Sequence, residues 1–120
     1  MIQFNPDDPL AFKTDPQRLF KPGDLVTHMR YGYRGVIVAA DATFQADEQW
    51  YESNITQPPK DQPWYHVFVH NSETVTYPAQ SSLLRDNSNQ PINHALIKVF
   101  FEAFVPEEYR YIRNDTPWEH

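Results

Sequence analysis

The sequence predicts a mainly β fold: a small SH3-like β-barrel of about five strands with a C-terminal α-helix. Three observations predict it. Two pairs of β-branched or aromatic runs, each pair joined by a short turn, read as antiparallel hairpins. Aromatics supply 15% of the 120 residues, and 11 prolines stand against only three glycines, so the segments are short, proline-bounded and built around large rings. Past the strands, one stretch carries apolar residues at helical spacing. A chain of this length buries one modest core and forms a single domain.

Residues 1–17 contain Pro6, Pro9 and Pro16 without sustained periodicity and read as an extended arm, with a short turn near Asp15–Arg18 and with Phe4, Leu10 and Phe12 placed to dock on the barrel. The barrel is assigned to residues 18–88. After the turn Lys21-Pro22-Gly23-Asp24, the run Leu25–Arg30 alternates faces as a strand does, with Leu25, Thr27 and Met29 together. Tyr31-Gly32-Tyr33-Arg34-Gly35 makes a tight connection, and Val36–Ala40 returns antiparallel. Residues 42–63 are a long link ending in Pro58, Pro59 and Pro63, with Trp50 as its anchor; links of this length tend to be functional or mobile. Trp64–His70 is the strongest strand pattern in the chain, and Thr74–Tyr77 pairs back on it until Pro78. Ala79–Leu84 reads either as a fifth strand or as a turn of helix.

Trp64, His66, Phe68 and His70 fall on one face of their strand and Tyr65, Val67 and Val69 on the other, so both faces are expected to be covered. One cover is the barrel core; the helix, the arm or a second subunit is left to supply the other. Closure into a barrel removes the edges an open sheet of this size would leave. Pro91, Ile92, Leu96, Val99, Phe100 and Ala103 place a helix over 91–104, within a segment 89–104 packed on the barrel, and Pro106 ends it. The tail 105–120 is aromatic and acidic, and either packs back or meets a partner.

The charge of −6 argues against a protein that coats nucleic acid, since such binding comes from cations displacing counterions from phosphates. Its distribution is uneven: residues 18–37 carry Arg18, Lys21, Arg30 and Arg34 against Asp24 alone, whereas 41–63 and 102–120 are both acidic. The absence of cysteine excludes disulfides and thiolate chemistry and suits a cytoplasmic location. The N-terminus has neither a basic start nor an apolar run, so no signal peptide or membrane span is expected.

No enzyme is expected. His66 and His70 share a strand face but stand roughly 13 Å apart at strand rise, too far for one ion, so no metal and no cofactor are predicted. Ser81-Ser82 lacks the flanking glycines of a nucleophile elbow, and the three glycines cannot cradle a phosphate at their spacings. The one suggestive group is His28, Arg30, Tyr31, Tyr33 and Arg34, which gathers cation, ring and flexible turn at one hairpin. On the residues alone, its commoner role is structural: the tyrosines plug the barrel end and the arginines pair with the acidic link.

One ordered set of residues changes that balance. It comprises Phe20-Lys21-Pro22-Gly23, Val26, His28, Tyr31-Gly32-Tyr33-Arg34-Gly35-Val36-Ile37, Asp41, Trp50, Pro63-Trp64-Tyr65-His66-Val67-Phe68-Val69 and Thr76-Tyr77-Pro78-Ala79-Gln80-Ser81-Ser82-Leu83. It resembles the YccV-like, or HspQ, domain over residues 20–83. The resemblance implies a small β-barrel, often oligomeric (a trimer for the bacterial heat-shock member), with a preference for hemimethylated DNA. It also implies a heat-shock role modulating a Lon-type protease, and a relation to domains appended to some F-box proteins. Pro78-Ala79-Gln80-Ser81 departs from a more usual Val-Ala-Glu-Glu stretch, and the arm and tail extend beyond the shared region. With the resemblance, the expected function is DNA binding, with Arg30 and Arg34 on phosphates and His28, Tyr31 and Tyr33 near bases. The alternative is a protein-interaction module or adaptor for a Lon-type protease, which the acidic surface and aromatic tail favour.

Overall fold

The computed structural model describes residues 17–119; the predicted arm, except for its last residue, lies outside them. Strands β1 (Leu25–His28) and β2 (Arg34–Asp41) form the first hairpin, with Leu25 opposite Val36 and Thr27 opposite Arg34. A short helix α1 (Glu48–Ser53) interrupts the long link, and β3 (Trp64–Val69) then pairs with β2. A bulge at Val38 shifts that register, so that Ile37 opposes Val67 while Ala39 opposes His66. β4 (Val75–Thr76) completes the second hairpin, and a 3₁₀ turn (Gln80–Ser82) leads into β5 (Leu83–Arg85), which pairs with β1. The five strands run in the order β4-β3-β2-β1-β5, all antiparallel.

Two expectations require correction. The sheet is open and is not a closed barrel: its edge strands β4 and β5 hold only two and three residues, and they do not pair with each other. Pro78 stops β4 before it can reach across. The helix expected over 91–104 is also replaced. Only a single turn, α2 (Ile97–Phe100), forms, after which the chain extends into β6 (Phe101–Val105). β6 pairs with β7 (Arg110–Arg113) across a turn in which Tyr109 adopts a left-handed φ of 57°. Phe-Glu-Ala-Phe-Val suits a strand as well as a helix, and the pairing with β7 decides between them. The tail thus packs back, one of the two outcomes expected for it.

Both faces of the sheet are covered, as the strand pattern predicts. On one, Leu25, Val36, Val38 and Phe68 meet Ile92, Phe100, Phe101 and Tyr111 from the C-terminal segment, with Trp118 packed alongside. On the other, Val26, Ile37, Tyr65 and Val67 meet Phe20 and Leu83. Gly23 permits the first arrangement. Its φ is +101°, and a Cβ there would lie 2.2 Å from the Tyr111 carbonyl oxygen. The bare backbone instead accepts the Tyr111 N–H at 2.8 Å and donates to the Ile37 oxygen at 2.7 Å, tying β7 to the sheet.

Candidate functional site

The β1–β2 turn is organised around His28. Its Nδ1 accepts the backbone N–H groups of Arg30 and Tyr31, both at 3.1 Å, so the proton of the neutral ring sits on Nε2. The His28 backbone N–H donates to the Tyr33 carbonyl, and its carbonyl accepts the N–H of Gly32, whose φ of 73° closes the turn. The imidazole lies 4.8 Å from the Tyr31 ring and 5.1 Å from that of Tyr33. Burial, aided by the Arg30 charge, holds its pKa below the ordinary histidine value, so the ring is neutral at pH 7.

The five residues singled out in the sequence therefore divide. His28, Tyr31 and Tyr33 form one stack, and the Tyr33 hydroxyl lies 2.8 Å from Thr76 Oγ1. Arg30 is exposed, with its guanidinium 5.7 Å from the centre of the Tyr31 ring, which is itself 57% exposed. Arg34 is engaged elsewhere. Its Nε donates to Asp86 at 2.7 Å and its Nη2 to the Gln90 carbonyl at 2.6 Å. Burial acts to raise the Asp86 pKa, but the donors from Ser88 and Arg34 outweigh it and hold the carboxyl below its usual value. Arg34 thus pairs with a buried aspartate beside β5, and not with the acidic link.

Beside the turn lies a cleft of about 580 Å³, whose lining includes His28, Tyr31, Trp50, Trp64, His66 and Tyr77. Beyond the turn, its walls were given no binding role in the sequence, although Trp50, Trp64, His66 and Tyr77 stand in the ordered motif. α1 carries Trp50 and Tyr51 over the Trp64 end of β3, capped by Asp47, which accepts the Gln49 N–H at 3.0 Å. Phe44 is the pivot: its ring stacks on Trp50 at 6.0 Å and meets Trp64 edge-on at 4.9 Å and Tyr51 edge-on at 5.3 Å. Lys60, paired with Glu48, lies 4.5 Å from the Tyr51 ring centre.

The back wall is fixed by Asp41. Its Oδ2 accepts the Tyr77 hydroxyl at 2.6 Å and lies 3.3 Å from His66 Nε2, whose ring stacks on Tyr77 at 4.4 Å. The Tyr77 oxygen also accepts the Gln45 N–H at 3.1 Å. Burial first, and the neighbouring carboxylate second, push the Tyr77 pKa far above its ordinary value, so it remains a phenol donating to Asp41. Trp64 is almost fully buried, and its Nε1–H has no hydrogen-bond partner among the described residues.

No group of three or more histidine, cysteine or carboxylate side chains among the described residues is arranged to hold a metal ion. None of the helices among the described residues is long and apolar enough to cross a membrane.

Fold and site together define a small antiparallel-sheet module whose ligand-sized aromatic cleft is flanked by a cation-bearing turn. Residues 18–108 of the 120 match the family described as hemimethylated DNA-binding protein YccV like. The chain belongs to that family. The match extends past the motif-bearing stretch 20–83 to include α2 and β6.

Proposed function

We propose that the chain binds duplex DNA, taking hemimethylated sites in preference to fully methylated or unmethylated ones, through the face around the β1–β2 turn. The observation that carries the reading is the exposed Arg30 guanidinium layered on the exposed Tyr31 ring, on a turn pinned by His28. A cation on a rigid turn meets a phosphate without ordering a loop, and an exposed tyrosine beside it adds a stacking surface and a hydroxyl donor. The family description supports the same target. Arg34 serves indirectly, by holding the end of β2 to Asp86, and Arg30 is the phosphate contact. With few such cations and a net charge of −6, affinity is modest and falls with salt; an oligomer repeating the turn raises it through avidity.

Titration of labelled hemimethylated, fully methylated and unmethylated duplexes at low salt tests the reading. The hemimethylated duplex binds tightest, and Arg30→Ala weakens binding of all three. Equal or undetectable binding to all three sinks it.

A second reading is favoured by one observation: Asp47, Glu48, Glu52 and Asp61 are exposed along the link beside the cleft, where they repel phosphate. Under it the chain is a protein-interaction module, with a Lon-type protease as the partner to test. Deleting residues 105–120 is not a clean probe, because Tyr111 and Trp118 pack in or against the core. Substituting the exposed Tyr109 by Ser while following client degradation is cleaner, and unchanged degradation with and without the chain ends this reading.

A further inference from the structure

We infer that the cleft beside the β1–β2 turn is a site for a single unstacked nucleobase. The inference rests on the duplex-binding reading and names what the cleft accepts from such a ligand. Its volume of about 580 Å³ falls within the range of small-molecule sites, well above a packing gap. Its walls are flat rings, with Trp50 and Tyr77 at 5.9 Å and Trp64 and Tyr77 at 5.5 Å between centres. Such surfaces hold any base through its π face.

The walls are also braced. The Tyr77 hydroxyl is committed to both Asp41 and Gln45, so its ring cannot fold inward to fill the space. Trp64 lines the cleft through its ring, and its buried Nε1–H, which has no partner among the described residues, is not counted as a contact for the ligand. A nucleobase offers these rings a flat π face of its own, whereas an aliphatic peptide side chain offers none. Charge sets the direction of entry. Asp47 is part of the cleft lining and repels phosphate, while Arg30 stands on the turn beside it, so the base goes in and the backbone stays at the turn. A base stacked in a duplex cannot reach the walls, so the site favours strands in which one base is already out.

The experiment compares two duplexes of one sequence at one salt concentration, one fully paired and one with a single bulged adenine. The bulged duplex is expected to bind about tenfold tighter or more, since its base is already unpaired. Trp50→Ala brings that ratio to about one, and Trp50→Phe, which keeps a ring, preserves it. Equal binding of both duplexes by the unaltered chain overturns the inference and leaves the duplex-binding reading standing.

If neither duplex binds, the duplex-binding reading falls, and adenosine alone decides the cleft. Saturable shifts of the Trp50 and Trp64 indole N–H signals in NMR spectra support a base site that a free nucleoside enters unaided, and their absence overturns it. Shifts produced by N-acetyl-leucine amide but not by adenosine also overturn it, and give the cleft to a peptide.

Discussion

The two ends of β3 have the same sequence character and opposite fates. Trp64, His66 and Phe68 point to one face of the sheet, all three buried. Phe68 is covered by apolar rings of the C-terminal segment: Phe100 at 5.7 Å, Phe101 at 6.1 Å and Trp118 at 5.7 Å between centres. Trp64 is covered by a link whose helix is acidic and buries no residue of its own, and the cover stops short, leaving the cleft. An aromatic strand face becomes core where it meets an apolar partner and a site where it meets an amphipathic one. His66 sits between the two, stacked on Tyr77 of the cleft and 5.6 Å from Trp118 of the core.

Substitutions at the two ends should therefore differ in kind. The largest loss is expected at the core end, where Phe68→Ala removes a fully buried ring and costs about 3–5 kcal/mol, read by chemical denaturation. Gly23→Ala comes next. Backbone strain at positive φ costs on the order of 1–3 kcal/mol, and the collision with the Tyr111 carbonyl adds to it, so β7 is expected to lose hydrogen-exchange protection first. A stable variant with β7 protection intact would break the claim that this contact seats the C-terminal cover.

The two arginines sharpen the comparison at the turn. Arg34→Ala leaves Asp86 buried beside an empty place and is expected to cost about 1–3 kcal/mol. Arg30→Ala, on the exposed rim, is expected to stay within about 0.5 kcal/mol of the unaltered chain while weakening DNA binding. The reverse order of stability would reverse the assignment of structural and binding roles.

The smallest effect is expected from pH. The folded state holds the His28 pKa below that of the unfolded chain, so the unfolded chain binds the proton more readily. Stability is then fully present above the unfolded value, about 6.5, and falls as pH drops below it towards the folded value. Protonation removes the acceptor that holds Arg30 and Tyr31, so the turn should loosen in the same window, visible in the amide exchange of those two residues. His28→Gln should flatten that part of the profile.

Legibility followed the range of the interactions. The four strands of the two hairpins stand where alternation and turns place them, because each hairpin is closed by neighbours in sequence: Gly32 and Asn71, at φ of 73° and 58°, lie at the two bends. The stretch 79–84, left open between strand and helical turn, is a 3₁₀ turn running into β5, whose pairing with β1 is distant in sequence. The segment after residue 91 was misread because Ile92, Leu96 and Phe100 do face the core, as helical spacing requires, but from one turn of helix and the extended chain flanking it. The candidate site was legible in part. Its turn was visible as a cluster of cation and ring, and Tyr77 only as a member of the ordered motif without a site role; Phe44 and Tyr51 were not visible, since each gains a role only by meeting Trp64 from 20 and 13 residues away. Trp50, visible as the anchor of the link, was the available signal.

By itself the sequence determined a mainly β module, its hairpins, the burial of both sheet faces and membership of the YccV-like family, because these depend on alternation, turn chemistry and an ordered motif. Tertiary structure alone decided that the sheet stays open, that the C-terminal segment covers one face as a second hairpin, and that Arg34 pairs with Asp86 while Arg30 faces solvent. Those outcomes depend on which distant segments meet and how completely they cover each other. Local pattern carries no record of either.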